Sequence, residues 1–108
     1  LTGPEAAEVV IAYEPVWAIG AGRPASAAAI TEVVAYIRLI IEGQFGKNVA
    51  DAVRILYGGS VEPDFVANIL SIDGVDGFLV GGASLNYQQF ADIVTKAHQL
   101  AAAKEQHA

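Results

Sequence analysis

Glu14 is the residue whose surroundings best suit it to act as a general base. It directly follows the apolar run at residues 9–13 and precedes Pro15, after which the apolar residues 16–19 continue. A carboxylate among apolar groups is costly to keep ionised, so it takes up a proton more readily than an exposed one. The alternative is a surface glutamate at the start of a loop, and the apolar loop that flanks Glu14 argues against it.

Two glycine-rich segments point to an anion site. Gly-Gly-Ser at residues 58–60 follows the apolar run 53–57, and Gly-Gly-Ala-Ser at residues 81–84 follows the run 77–80. Glycines let backbone N–H groups converge on an anion without a Cβ in the way. One Gly-Gly pair could equally be a tight turn. Two pairs after consecutive strands favour a phosphate site.

The segment between residues 15 and 23 has the composition of a lid. Trp17 and Ile19 are large and apolar, while Gly20 and Gly22 interrupt regular structure. Such a segment could close over a ligand, exclude water and offer the Gly20 N–H to a phosphate. A hydrophobic loop packed in the core, or a patch used for association, remains the alternative.

Three short apolar runs must position these residues. Residues 9–13, 53–57 and 77–80 are rich in β-branched and aromatic side chains and mostly lack polar alternation. This pattern predicts parallel strands buried on both faces. Helical patterns alternate with them, so the fold class is α/β with right-handed crossovers.

The first long helix is predicted from Ser26 to about Glu42. Ser26 is a suitable N-cap and Gly43 a suitable stop. One apolar stripe at helical spacing contains Ile30, Val33, Val34, Ile37 and Ile41.

Two further helices are predicted downstream. A short one has Pro63 in its first turn and ends near Leu70, and the last one begins with Asn86 and Gln89 spaced as a capping box. The stripe of the last helix contains Phe90, Ile93, Val94, Ala97 and Leu100. Residues 101–108 are expected to fray, and residues 1–8 to end an earlier helix or loop.

Composition excludes several classes of protein. The 108 residues are 54% hydrophobic and 17% charged, carry a net charge of −6 and contain no cysteine. The acidic balance argues against nucleic-acid binding, and the apolar content against a disordered tail. We expect no disulfide, no thiolate metal site, no membrane helix and no signal peptide, which fits a cytoplasmic location. The absence of an initiator methionine suggests a fragment or a processed chain. A mean hydropathy of +0.42 indicates either an efficient core or surface that meets another piece of protein.

Three motifs resemble those of the triosephosphate isomerases. They are Ala-Tyr-Glu-Pro-Val-Trp-Ala-Ile-Gly at residues 12–20, Tyr-Gly-Gly-Ser-Val at 57–61 and Leu-Val-Gly-Gly-Ala-Ser-Leu at 79–85. Their order and spacing also agree. The resemblance implies a partial TIM (β/α)8 barrel in which residues 1–108 are the last three βα units of a single domain.

The resemblance also implies roles for individual residues. Glu14 corresponds to the base that moves a proton between adjacent carbons of a triose phosphate, without cofactor or metal. Tyr57 corresponds to the tyrosine that latches the closed lid. The remaining correspondences are Pro15, Val16 and Trp17 in the first lid hinge, and Gly20, Ser60, Gly81 and Gly82 at the substrate phosphate.

The sequence departs from the family in its lid and in its extent. Ala21 replaces a hydroxyl residue, and Pro24 could stiffen the second hinge. The family's electrophilic His, its substrate-binding Lys and a neighbouring Asn belong to the first half of the barrel. His98 and His107 are expected to be solvated or at helix ends and cannot replace them. Arg38, Arg54 and the lysines are expected to be ordinary surface or locally paired charges.

These observations leave three hypotheses. The first is a triosephosphate isomerase that is homodimeric when complete and inactive as the isolated chain. The second is a self-associating barrel fragment with a structural role and no catalysis, motivated by open strand edges and excess apolar surface. The third, another phosphate-binding barrel enzyme, is weakened by the Glu-Pro-Val-Trp motif at residues 14–17.

Overall fold

The computed structural model describes residues 1–15, 26–59, 65–80 and 85–107. Helices and strands alternate along these residues. In chain order the elements are α1 (Gly3–Ala7), β1 (Val10–Tyr13), α2 (Ala27–Phe45), α3 (Lys47–Ala52), β2 (Arg54–Gly58), α4 (Val66–Leu70), β3 (Gly77–Leu79) and α5 (Tyr87–His107).

The three strands form one parallel sheet in the order β1-β2-β3. Tyr13 pairs with Tyr57, and Tyr57 pairs with Phe78. Parallel neighbours need crossover connections, which α2 and α3 supply between β1 and β2, and α4 between β2 and β3. The predicted α/β class and the three predicted strands are confirmed.

Burial of the sheet is one-sided, which corrects the prediction that the strands are buried on both faces. Ile55 and Tyr57 lie in the hydrophobic core with residues of α2, α4 and α5. The alternate positions form what we call the open face, where Val10 is 53% exposed and Leu79 40% exposed. Uniformly apolar strands predict two covered faces, yet the described helices pack on only one of them. The open face contains Val10, Ala12, Arg54, Leu56, Gly58, Gly77 and Leu79.

Helix α2 begins where predicted and ends three residues later than predicted. The Ser26 side chain accepts a hydrogen bond from the Ala29 N–H at 3.2 Å, as an N-cap should. The helix passes through Gly43 and ends at Phe45, because Gly46 takes the positive φ of 94°. Gly43 is therefore not the stop, and α3, which follows Gly46 directly, was not predicted.

The last two helices agree with their predicted positions in part. Helix α4 ends at Leu70 as predicted, while Pro63 lies outside the described residues. Asn86 caps α5 by accepting hydrogen bonds from the Gln88 and Gln89 N–H groups. Helix α5 continues to His107, and the expected fraying from residue 101 stays a prediction.

The predicted stripe of α5 is only half covered. Ile93 is buried, and Ala97 and Leu100 pack against the core. Phe90 and Val94 remain exposed. They line a groove of about 750 Å³ between α5 and β3, which leaves that edge of the sheet uncovered.

Residues 1–8 contain a short helix that begins at its own N-cap, Thr2, which corrects the expectation that they end an earlier helix or loop. The Thr2 N–H donates to the Glu5 carboxylate at 3.0 Å, and the Glu5 N–H donates to the Thr2 hydroxyl at 3.2 Å. Hydrogen bonding of the Glu5 carboxylate with the Thr2 backbone N–H, and secondarily with the Thr2 side chain, lowers the pKa of Glu5. The reciprocal pair is a capping box that satisfies two N–H groups at the start of the helix.

Arg38 joins three segments of the fold, which corrects its interpretation as an ordinary charge. From α2 its guanidinium donates to the Ala50 carbonyl at 2.6 Å and the Val53 carbonyl at 2.8 Å. It also donates to the Gly74 carbonyl at 2.6 Å and to Asp76 Oδ2 at 3.0 Å. The same Asp76 oxygen accepts from the Ile55 N–H at 2.9 Å. The bridge therefore fixes α2 against the segment that leads into β2 and against the segment that leads into β3.

None of the helices in the described part of the chain is long and apolar enough to cross a membrane.

Candidate functional site

The carboxyl ends of the three strands meet at one edge of the sheet because the strands are parallel. Glu14 directly follows β1, Gly58 is the last residue of β2, and Leu79 is the last residue of β3. Parallel α/β folds keep their ligand sites at this edge. The strand order therefore places Glu14 and Gly58 at the same edge as Leu79, the last strand residue before the second glycine-rich segment, which itself lies outside the described residues.

The Glu14 side chain lies on the open face against Gly58. The register pairs Tyr13 with Tyr57, so continuing it by one residue places Glu14 beside Gly58. A Cβ built on Gly58 would lie 2.6 Å from Glu14 Cγ and 3.0 Å from Glu14 Oε1. Glu14 is exposed, while the backbone of Gly58 beneath it is buried. The carboxylate is thus accessible from the side that would be the interior of a closed barrel.

Gly59 and Tyr57 lie together just beyond the end of β2. Gly59 has a φ of 151°, a conformation that residues with a Cβ rarely adopt. A Cβ at Gly59 would also lie 2.7 Å from the Tyr57 hydroxyl oxygen. Tyr57 is 1% exposed, and its ring belongs to the core on the face opposite to Glu14. Tyr57 therefore holds the end of β2 by packing in the core, on the face of the sheet opposite to Glu14.

Most of the predicted lid and phosphate residues lie outside the described residues. Pro15 is described and is buried. The residues that fall outside are Val16, Trp17, Gly20, Ala21, Pro24, Ser60, Gly81 and Gly82. In the chain, Ser60 comes two residues after the end of β2, and Gly81 two residues after the end of β3. Their assigned roles stay predictions.

Among the described residues, the other titratable groups include no candidate metal site. His98 is exposed on α5, far along the chain from the strand ends. Within the described ranges, no group of three or more His, Cys, Asp or Glu side chains could hold a metal ion. The described part of the candidate site therefore consists of the Glu14 carboxylate and backbone at the end of β2.

Sequence reasoning missed two residues that matter to the geometry. Gly58 was interpreted only as part of a phosphate loop, although the space above it holds the Glu14 side chain. Arg38 was interpreted as a surface charge, although it donates four hydrogen bonds. The contact between Gly58 and Glu14 depends on the strand register, which the sequence alone does not reveal. The role of Arg38 has a signal in the sequence, because an arginine within the apolar stripe of α2 indicates a charge that is partly buried and needs partners.

Comparison with known proteins gives a consistent result. A family model described as "Triosephosphate isomerase" matches residues 1–97. The chain is 57% identical over 94 residues to the triosephosphate isomerase of Citrifermentans bemidjiense, a match covering 87% of this chain and 38% of that protein. It is 52% identical over 90 residues to that of Trichlorobacter lovleyi, covering 83% of this chain and 36% of the relative. With the enzyme of Clostridium perfringens it shares 51% identity over 94 residues, covering 87% and 38% respectively.

The chain thus spans little more than a third of the length of the curated relatives it matches. Three of the strands of an eight-stranded barrel correspond to a similar share of that fold.

Proposed function

Because the chain belongs to the triosephosphate isomerase family, we propose that within a complete barrel it carries the base of an aldose–ketose isomerase. The reaction interconverts dihydroxyacetone phosphate and glyceraldehyde 3-phosphate. The base removes a proton from the carbon beside the carbonyl, an enediolate forms, and the proton returns to the adjacent carbon. No step requires a cofactor or a metal. Because the family is glycolytic, the proposal also includes a cytoplasmic location and a complete enzyme that is a homodimer.

The position of Glu14 is the observation that carries the proposal. Its carboxylate lies at the carboxyl end of the sheet, on the face that a closed barrel would enclose. A group at that position can reach a substrate held at the mouth of the barrel. Among the described residues at the carboxyl ends of β1, β2 and β3, Glu14 is the one ionisable side chain on that face.

The glycine-rich segments supply the proposed phosphate site. Gly81 and Gly82 would offer backbone N–H groups, and Ser60 and Gly20 would complete the contacts. Dianionic phosphate is well matched by convergent N–H groups, which need no side-chain charge. Closure of the lid at residues 15–23 would exclude water and protect the enediolate.

Replacing Glu14 tests the proposed role of the base. The substitution is made in a complete barrel obtained by joining residues 1–108 to the upstream part of the Citrifermentans bemidjiense relative. Glu14→Gln keeps the size of the side chain and removes the base, so kcat should fall by about 10²–10⁴-fold. A coupled assay measures turnover. Unchanged kcat in Glu14→Gln would refute the role.

The isolated chain tests whether residues 1–108 alone are sufficient for turnover. Residues 1–108 alone lack the electrophile that the family takes from its first half, and loss of such a group costs about 10²–10³-fold or more. The chain alone is therefore expected to show no measurable turnover in the same assay.

The open face supports a second candidate function, that of a self-associating barrel fragment. Val10 and Leu79 on the sheet, and Phe90 and Val94 on α5, are exposed apolar side chains. Within the described residues, β1 and β3 each pair with β2 alone, and an apolar sheet with such edges favours association with another copy.

A further inference from the structure

We propose that Gly58 is a positioning residue for Glu14, because the glutamate side chain occupies the space that any other residue at position 58 would fill. The inference rests on the proposed function and adds to it a residue that acts on the base rather than on the substrate. Its basis is the contact between the ends of β1 and β2.

The backbone at residue 58 does not itself require glycine. Among the described residues, positive φ occurs at Gly46, Gly59 and Gly74, and Gly58 is not one of them. Gly58 is the last residue of an ordinary strand, where glycine weakens the strand through its entropy and lack of packing. A glycine at this position therefore needs another explanation.

The explanation is steric, and it involves the root of the Glu14 side chain. The atom nearest to a Cβ at position 58 is Glu14 Cγ at 2.6 Å, followed by Oε1 at 3.0 Å and Cδ at 3.2 Å. Real Cβ atoms essentially never approach another heavy atom within 3.0 Å. Because Cγ is so close to the backbone, rotation of the outer torsions cannot relieve the clash. A Cβ at position 58 would force Glu14 into another χ1 rotamer and move its carboxylate.

Gly77 is the matched control on the same face. A Cβ at Gly77 would lie 3.0 Å from Leu56 Cδ2, the far end of a flexible side chain that can move aside. Gly77 is the first residue of β3, so it lies away from the edge that carries Glu14. Gly77→Ala thus adds the same methyl group to the same sheet face without touching the base.

The experiment measures kcat and KM for Gly58→Ala and Gly77→Ala in the complete barrel described above. Displacing a base by about 1 Å costs about 10²-fold in rate, so Gly58→Ala should lower kcat by about that factor. KM should change by less than about threefold, because the base contributes to the transition state rather than to uniform binding. Gly77→Ala should retain kcat within about threefold. Retained kcat in Gly58→Ala, equal losses in both variants, or a loss confined to KM would overturn the proposal.

A double-mutant cycle separates positioning from a general structural role. Glu14→Ala has no Cγ, so adding Gly58→Ala to it should change the residual kcat by less than about twofold. A further loss as large as in the parent would overturn the proposal. If Gly58→Ala alone fails to fold, the Tm of the double variant tests the steric contact instead. A Tm of the double variant close to that of Glu14→Ala supports the contact, and a double variant that also fails to fold refutes it.

Failure of this inference can be distinguished from failure of the proposed function. If Glu14→Gln leaves turnover intact, the role of the base is wrong whatever Gly58→Ala does. If Glu14→Gln abolishes turnover while Gly58→Ala retains kcat, only the positioning role is wrong.

Discussion

A single arginine on α2 satisfies backbone carbonyls from two other segments that are distant from it in sequence. The Arg38 guanidinium accepts no hydrogen bonds itself and offers five donors in a fixed planar arrangement. Those donors meet the Ala50 and Val53 carbonyls at the end of α3 and the Gly74 carbonyl before β3. Asp76 neutralises the charge, and the side chain of Arg38 is only 20% exposed. Arg38 therefore takes the place of water as the hydrogen-bond donor to these carbonyl groups.

Removing this side chain should destabilise the fold strongly. Arg38→Met keeps most of the aliphatic volume but removes the arginine donor from three carbonyls and leaves the Asp76 carboxylate with the Ile55 N–H and no positive partner. We expect the free energy of unfolding to fall by about 2–4 kcal/mol, measured by urea denaturation. Arg38→Lys should recover little of this loss, because one ammonium cannot match the planar set of acceptors.

Arg54→Met is the control for the loss of a positive charge. Arg54 is exposed at the start of β2, and its replacement should change stability by less than about 0.5 kcal/mol. Equal losses for Arg38→Met and Arg54→Met would contradict the bridging role of Arg38.

At the scale of elements, the backbone conformation of Gly46 determines where α2 ends, and Gly43, the first glycine of the helix, does not end it. Gly43 lies within the helix, and a Cβ there would meet nothing within 4 Å. Gly46 also has free space around it, but its φ is 94°. The two glycines differ in conformation alone, which makes them a direct test of what ends the helix.

Alanine at these two positions should have opposite effects on stability. Gly43→Ala should raise the free energy of unfolding by about 0.5–1 kcal/mol, because alanine loses less entropy in a helix. Gly46→Ala should lower it by about 1 kcal/mol, because a Cβ is strained at positive φ. Thermal and urea unfolding of the two variants measures the difference. A stabilising Gly46→Ala would show that the turn does not need the left-handed conformation.

Local signals explain which elements could be predicted from the sequence. The three strands and the Ser26 cap depend on residues within a few positions of one another, and all are present in the structure. Helix α3 has only Val49 and Ala50 turned toward its neighbours, so its six residues carry no visible periodicity. Glu14 was identified from its flanking residues, whereas its contact with Gly58 depends on strand register, which a single sequence does not specify.

At the scale of the whole molecule, the uncovered surfaces account for the apolar composition. The strands are apolar on both sides, yet the described helices cover only the side that contains Ile55 and Tyr57. Burial of apolar surface contributes about 25 cal/mol per Å², so a chain left with an uncovered apolar face gains by covering it. The groove beside β3 and the exposed Phe90 and Val94 extend this surface around one edge of the sheet.

The isolated 108 residues should therefore self-associate through the open face. Sedimentation velocity should show a mass that rises with concentration. The double variant Val10→Lys and Leu79→Lys should shift the association to higher concentration, because two charges on the open face would have to be desolvated. Thr95→Lys, at an exposed polar position on α5, adds a charge elsewhere and should leave the association unchanged. A monomer at every concentration would contradict self-association. If Thr95→Lys weakened association as much as the Val10→Lys and Leu79→Lys pair, association would not depend on the open face.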